Sequence, residues 1–388
     1  MNEEESNLSS YSKAPSPSVS EQKRSLDLPS EYAKPAKTSR SLSKEATEDS
    51  LDSEEEGTAV MSQNPGVQRY LVAVEYIGTR FSGSQKQPNC RTVVGALEEA
   101  FHKFIGQEVS IFCSSRTDAG VHALSNVCHV DVERISKRKP GEVLPPHEPG
   151  VVRRAVNHFL QKNEGDIMVT DVQCVPADFH ARFRALERTY HYRLLSGPES
   201  LSVFEKDRSW HVPEDLDINA MKKACNILVG HHDFSSFRAA GCQAKSPIRT
   251  LDELSVTEVL PYLFFPSILE RSDMQSSDEI IVSSKISEVE SSSGYSNSSD
   301  VTMKKCGTKN PQEFGQRSRH RCYVITARAR SFLYHQVRLM VGVLKAVGTG
   351  DLTTNDVERI LKAKTITAAS PMAPACGLYL SNVKYDLQ

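Results

Sequence analysis

Runs of β-branched and aromatic residues alternate twice along this chain with stretches of helical apolar spacing, and that order leaves few folds open. In the first half, "YLVAVEY" (70 to 76) reads as a strand. Val94, Leu97, Phe101, Phe104 and Ile105 then recur at three- and four-residue intervals, which predicts an amphipathic helix from about Thr92. "VSIFCSS" and "SNVCHVDV" are the next strands, followed by a helix over about Val151 to Gln161 and a strand over Ile167 to Val172. The second half begins again with "TYHYRLL" (189 to 195), a helix over Ile218 to Val229 and a strand near Leu254 to Val259. "CYVITARA", a long helix over Phe332 to Val347, a helix "TNDVERILKA" and a closing strand "LYLSNVKY" complete it. Two halves of similar content, 66–175 and 176–388, without detectable sequence repeat, predict an α+β fold of two ferredoxin-like mixed-sheet units side by side. The seam between them is a natural cleft.

Two stretches stand outside this pattern. Residues 1–65 are rich in Ser, Pro, Glu and Lys with almost no aromatics, too little apolar surface to offset the entropy of ordering, so the tail is expected to be disordered. The Ser-rich insert 267–316 is expected to behave likewise. The tail holds 7 basic and 13 acidic side chains and the insert 5 and 8, which leaves 35 basic against 28 acidic in the rest. A formal net charge of −2 thus conceals a basic folded part, which suits a polyanionic partner, although ordinary surface lysines account for it equally well.

No run of about 18 apolar residues exists to span a membrane. "MNEEESNLSS" argues against a secretory signal or organelle presequence at Met1, and Met61 could serve as a second start. The tail points to cytosol or nucleus; a start at Met61 would not by itself supply an organelle signal, and a mitochondrial location stays open. The nine cysteines form no CxxC pair and no zinc-type spacing with histidine, so free thiols in a reducing compartment and no bound metal are expected. Cys113, Cys128 and Cys322 lie in apolar strands as small hydrophobes.

Between the second and third strands lies "SSRTDAGVHALSN" (114 to 126), where Gly120 can take a positive φ and Ser115 and Thr117 can bond a tight turn. An Asx turn accounts for a loop aspartate such as Asp118. It does not account for Arg116 and His122 beside it. One carboxylate without a partner acid argues against a two-carboxylate glycosidase, which leaves Asp118 as a nucleophile or base kept ionised by an arginine, Arg116 or a more distant one.

In "PADFHARFRALERTYHYRLL" (176 to 195), Arg182, Arg184, Arg188 and Arg193 interleave with Phe179, Phe183, Tyr190 and Tyr192. Rings stack on bases and guanidiniums hold phosphates, yet a strand with an aromatic core face and solvated arginines fits equally well. In "SFLYHQVRLMVGVLKAVGTG" the apolar stripe is core, and Arg338, one position from it, reads by itself as a snorkelling surface arginine. "GHHDFSSFR" offers His231, His232 and Arg238 without a ligand spacing, and "YIGTRFSGSQKQ" is a basic strand-to-helix loop without a nucleotide motif, so no cofactor is implied.

Taken in order, "SSRTDAGVHALSN", "DFHARFRALERTYHYRL", "HDFSSFR" and "SFLYHQVRLMVGVL" resemble the TruA family of tRNA pseudouridine synthases over about residues 66–388 apart from the insert. The wording of the first motif and the long segment before the last helix are most similar to the eukaryotic tRNA pseudouridine synthase-like 1 group. The resemblance implies two α+β halves joined across a basic cleft that receives tRNA. It places the catalytic aspartate on Asp118, the tyrosine that packs on the target base on Tyr190 and the arginine paired with the aspartate on Arg338. Arg116 is implied to displace or hold the flipped nucleotide, and Arg182 and Arg188 to lie among RNA-binding arginines. The reaction implied is isomerisation of a uridine at positions 38 to 40 of the anticodon arm, without cofactor or metal. Bacterial members carry Gly-Trp-Gln where this chain has Gly83, Ser84 and Gln85. They are also homodimers, a state that is possible here and not carried over.

Two other classes stay in play: an RNA-binding or RNA-folding protein that keeps the fold without catalysis, and a base-releasing glycosidase. The tail has no core to contribute, so deleting residues 1–60 is expected to leave activity on tRNA intact, as tritium release from labelled uridine would show.

Overall fold

The computed structural model describes residues 66–162, 164–259, 320–369 and 371–387. The tail and the 267–316 insert expected from composition lie outside the described residues.

Ten strands form one mixed sheet: β1 (Val67–Tyr76), β2 (Ile111–Cys113), β3 (His122–Glu133), β4 (Ile167–Val175), β5 (Glu187–Ser196), β6 (Trp210–Val212), β7 (Gly230–Asp233), β8 (Ile248–Val259), β9 (Arg321–Ala329) and β10 (Leu378–Lys384). Their order is β4-β1-β3-β10-β5-β9-β8-β7, with β2 added to β3 and β6 to β5. The two expected units are therefore fused edge to edge. All contacts along the order are antiparallel except that between β3 and β10, where Tyr379 faces His122 and Leu380 faces Ala123 in parallel register. At the join both β3 and β10 have neighbours on each side, and β3 is buried along most of its length.

Among the described residues, five helices accompany the sheet: α1 (Val93–Ile105), α2 (Pro149–Leu160), α3 (Ile218–Leu228), α4 (Gln336–Gly348) and α5 (Thr354–Ala363). Their starts follow from local chemistry. Thr92 accepts the Gly95 N–H, Asp217 accepts the Ala220 N–H, and Thr353 with Asp356 forms a reciprocal capping box. Helix α2 packs on α1 and β4, while α3 packs on β8, α4 and α5. Helix α4 buries eleven of its thirteen residues, and a Cβ on Gly342 would collide with the Pro371 carbonyl, so glycine lets the 371–373 segment lie directly on the helix.

Two boundaries differ from the sequence expectation in ways that matter for the site. Strand β3 starts at His122 rather than near Ser125, because parallel pairing with β10 extends it. Helix α4 starts at Gln336 rather than Phe332. His335 takes a left-handed conformation, φ 63°, and the Gln336 side chain accepts the Leu333 N–H at 2.8 Å, closing a turn ahead of the helix.

Several histidines are built in as neutral groups. His122 Nδ1 accepts the Gly78 N–H at 3.0 Å and its Nε2 faces the Cys376 carbonyl at 3.1 Å, a pairing that needs the Nε2–H tautomer. Burial lowers its pKa. His129 accepts the Ala181 N–H, and burial, with His180 and Arg69 nearby, pushes it down to about 4. An unfolded histidine titrates near 6.5. The stability these groups contribute is thus complete above about pH 6.5 and is lost as pH falls toward 4, since the unfolded chain takes up protons that the fold refuses. Urea denaturation should show stability falling between pH 7 and 5, with about 2 kcal/mol of the loss coming from His129. Equal or greater stability at pH 5 would contradict the neutral assignment.

Candidate active site

The polar loop between β2 and β3 is held from below by a set of buried hydrogen bonds. Ser114 donates its hydroxyl to Asn126 Oδ1 at 3.1 Å and its N–H to the Val127 carbonyl at 2.7 Å. Asn126 Nδ2 donates to the Ser115 carbonyl and to the Tyr76 hydroxyl, each at 3.2 Å. The Tyr76 hydroxyl also bonds Thr117 Oγ1 at 2.8 Å, where either hydroxyl can donate. Thr117 in turn exchanges backbone bonds with Ser84: its N–H reaches Ser84 Oγ at 2.8 Å, and its carbonyl accepts the Ser84 N–H at 3.0 Å. Gly83, at φ +97°, lies so near that a Cβ there would sit 2.9 Å from the Thr117 carbonyl. The loop closes with the Val121 N–H on the Asp118 carbonyl at 3.1 Å and Gly120 at φ +80°. So many fixed backbone groups leave Asp118 no freedom except at its side chain.

Sheet register then brings the second half of the chain to this carboxylate. Ala123 pairs with Leu380, Leu380 with Tyr190, and Tyr190 with Ala327, so one row across β3, β10, β5 and β9 runs from the end of the loop to the tyrosine. Tyr190 is buried at 8% exposure, with Phe332 edge-on at 5.2 Å. Burial pushes its phenol up to about 12, the Asp118 charge adding to that and Arg188 opposing it, so it stays protonated at neutral pH. Beyond β9 the chain turns into α4 and delivers an imidazole and a guanidinium to one carboxylate oxygen. His335 Nε2 stands 3.2 Å and Arg338 Nη1 3.6 Å from Asp118 Oδ2. Arg338 is aimed by a bond from its Nε to the Ala373 carbonyl at 2.8 Å. The Asp118 side chain keeps 27% of its surface exposed, enough for a substrate to reach it.

The sequence profile described as tRNA pseudouridine synthase matches residues 72–184 and 224–386. The chain belongs to the TruA family of tRNA pseudouridine synthases. It is 39% identical over 319 residues to "tRNA pseudouridine synthase A" of Rhodospirillum centenum, covering 82% of this chain and all of that protein. It is 38% identical to the protein of the same name from Xanthobacter autotrophicus and 36% identical to that from Bartonella henselae, covering 82% of this chain and 99% of each. The family is one of isomerases, and the mixed α+β architecture described above is consistent with the pseudouridine synthase fold.

Within this TruA-family chain, Arg338 reaches Asp118 across 220 residues of sequence, and Tyr190, 72 residues away, lies near enough for the Asp118 charge to act on its phenol. Arg116 stands exposed on the rim, its Nη1 3.3 Å from Gln243 Oε1. Arg182 is exposed beside Phe183, with its guanidinium 6.0 Å from the ring centroid. Arg188 occupies a different kind of place: its Nε donates to Ser115 Oγ at 3.0 Å, its Nη2 to the Ser114 carbonyl at 2.9 Å and the Arg182 carbonyl at 3.1 Å, and its Nη1 to the Arg330 carbonyl. It clamps the underside of the Asp118 loop rather than presenting itself to solvent. Among the described residues no group of three or more His, Cys, Asp or Glu side chains is placed to hold a metal ion, and no helix is long and apolar enough to cross a membrane.

Residue types alone did not single out His335, Tyr76, Ser84 or Asn126. The Ser84 hydroxyl accepts the Thr117 N–H, a contact that its residue type does not announce. The local signal for His335 was its place three residues before Arg338, and spacing of that kind marks no particular role.

Proposed function

We propose that this protein converts uridine to pseudouridine in tRNA, with Asp118 as the catalytic nucleophile or base. The observation that supports this most is the convergence on Asp118 of an arginine and a tyrosine from the other half of the sheet. The reaction balances as an isomerisation: the N1–C1′ glycosidic bond breaks, the freed uracil turns, C5 bonds to C1′, the C5 proton leaves to water, and N1 takes up a proton in its place. The chain's part follows from its chemistry. A carboxylate beside the Arg338 guanidinium can attack or accept a proton, and buried Tyr190 supplies a flat face against which a flipped base can stay in place while it rotates. Stacking of this kind contributes about 1–3 kcal/mol, comparable with the few kcal/mol that unstacking a nucleotide costs.

By resemblance, the target uridine lies in the anticodon arm at positions 38 to 40, and the protein groups with the eukaryotic tRNA pseudouridine synthase-like 1 proteins. Arg116 and Arg182 are exposed, which supports their holding the RNA backbone. The test is purified full-length protein with tRNA tritiated at uridine C5: tritium should pass to water in step with pseudouridine formation. Tight tRNA binding without tritium release would instead support a non-catalytic RNA-folding protein, and free uracil with abasic RNA would support a glycosidase.

A further inference from the structure

Resting on the reading of Asp118 as the catalytic carboxylate, we propose that His335 is a positioning residue that orients Asp118 and reserves one of its oxygens for chemistry. His335 Nε2 is the nearer of the two side chains that α4 and its entry turn bring to Asp118, 3.2 Å from Oδ2 against 3.6 Å for Arg338 Nη1, and both approach the same oxygen. A carboxylate facing Nε2 selects the form of the ring that carries its proton there. With Oδ2 held by these two groups, Oδ1 is the oxygen left to face the substrate.

The backbone is bent to make this contact. His335 sits at φ 63°, ψ 6°, immediately ahead of α4. A left-handed conformation is strained for a non-glycine residue and is retained where the surroundings over-determine it. Here they do. The Tyr334 carbonyl accepts the Ala239 N–H at 3.1 Å, the Gln336 N–H bonds to the Leu333 carbonyl at 3.0 Å, and the Leu339 N–H bonds to the His335 carbonyl at 3.0 Å. The Tyr334 ring lies against the imidazole at 3.8 Å between centroids and 29° between planes, fixing its tilt. A simple helix start needs none of this; an Asn or Ser cap would serve, and His335 makes no side-chain cap bond to the helix. The bend swings the ring to Asp118 one turn ahead of Arg338.

Three full-length variants test the proposal by steady-state tritium release on tRNA. His335→Gly keeps the left-handed backbone and removes the ring, and is expected to lower kcat roughly 10- to 100-fold with KM within about twofold of wild type. His335→Gln, whose amide nitrogen reaches the place of Nε2, is expected to recover most of that loss. His335→Asn also fits the left-handed backbone but ends short of Asp118, so it should match the glycine variant and stands in for it if glycine lowers the melting temperature. Wild-type kcat in the Gly and Asn variants would overturn the proposal. So would a loss confined to KM, which would make His335 an RNA contact, or a Gln variant as impaired as Gly. If wild-type protein releases no tritium at all, the pseudouridine synthase reading itself fails, an outcome distinct from each of these.

Discussion

Asp118→Asn is expected to abolish tritium release from C5-labelled tRNA, by more than about 10⁴-fold in single turnover, while tRNA is still bound. The amide has the carboxylate's shape but neither its negative charge nor its capacity to attack C1′ or the base or to take a proton. Nothing in the loop needs the charge in order to fold, since the structure fixes Ser114, Ser115, Thr117 and Gly120 through Asn126, Tyr76, Ser84 and backbone partners. The change should therefore separate chemistry from binding. Affinity should hold or rise slightly, because a negative charge facing a polyanion has been removed. A wild-type rate from this variant would return Asp118 to the status of a turn residue.

The second large effect is expected at Arg188. Replacing it with Met removes four donor contacts to Ser114, Ser115, Arg182 and Arg330 and leaves three carbonyls and a hydroxyl without that partner. Hydrogen bonds from a charged donor contribute about 1.5–3 kcal/mol each and do not add, so a total near 3–5 kcal/mol is expected, a fall in melting temperature of about 5–10 °C. Below that transition kcat should fall as well, because the loop carrying Asp118 loses its underside, while the salt dependence of tRNA binding should change little. Arg188→Lys keeps one charge but not the planar fork and should recover only part of the stability. A shallower salt slope with unchanged melting would mean that Arg188 serves as a phosphate contact after all.

How much of this was legible in the sequence can be judged element by element. Most of the strand and helix order was, because period-2 and period-3.6 patterns mark the long elements, but the short strands β6 (Trp210–Val212) and β7 (Gly230–Asp233) were not, being too short to show a period. The fusion of the halves was not, since the parallel pair Tyr379–His122 and Leu380–Ala123 spans more than 250 residues and leaves no local mark. Asp118, Tyr190 and Arg338 stood out by their motifs, but the row Ala123–Leu380–Tyr190 that makes them neighbours is a matter of register. His335 was read as part of a continuous helix, because apolar spacing carries no trace of one left-handed residue at its start. Arg188 looked like its neighbours in an arginine-rich strand, and only tertiary packing turned its guanidinium under the loop.

The most direct measurement is a site-resolved map of pseudouridine in tRNA from cells lacking this protein, rescued with the wild-type chain or with Asp118→Asn. The expected map loses one or more tRNA pseudouridines in the deletion, regains them with wild type and fails to regain them with Asp118→Asn. Restoration of the same sites by the asparagine variant, or a deletion map with no site lost, would contradict an active site built on Asp118.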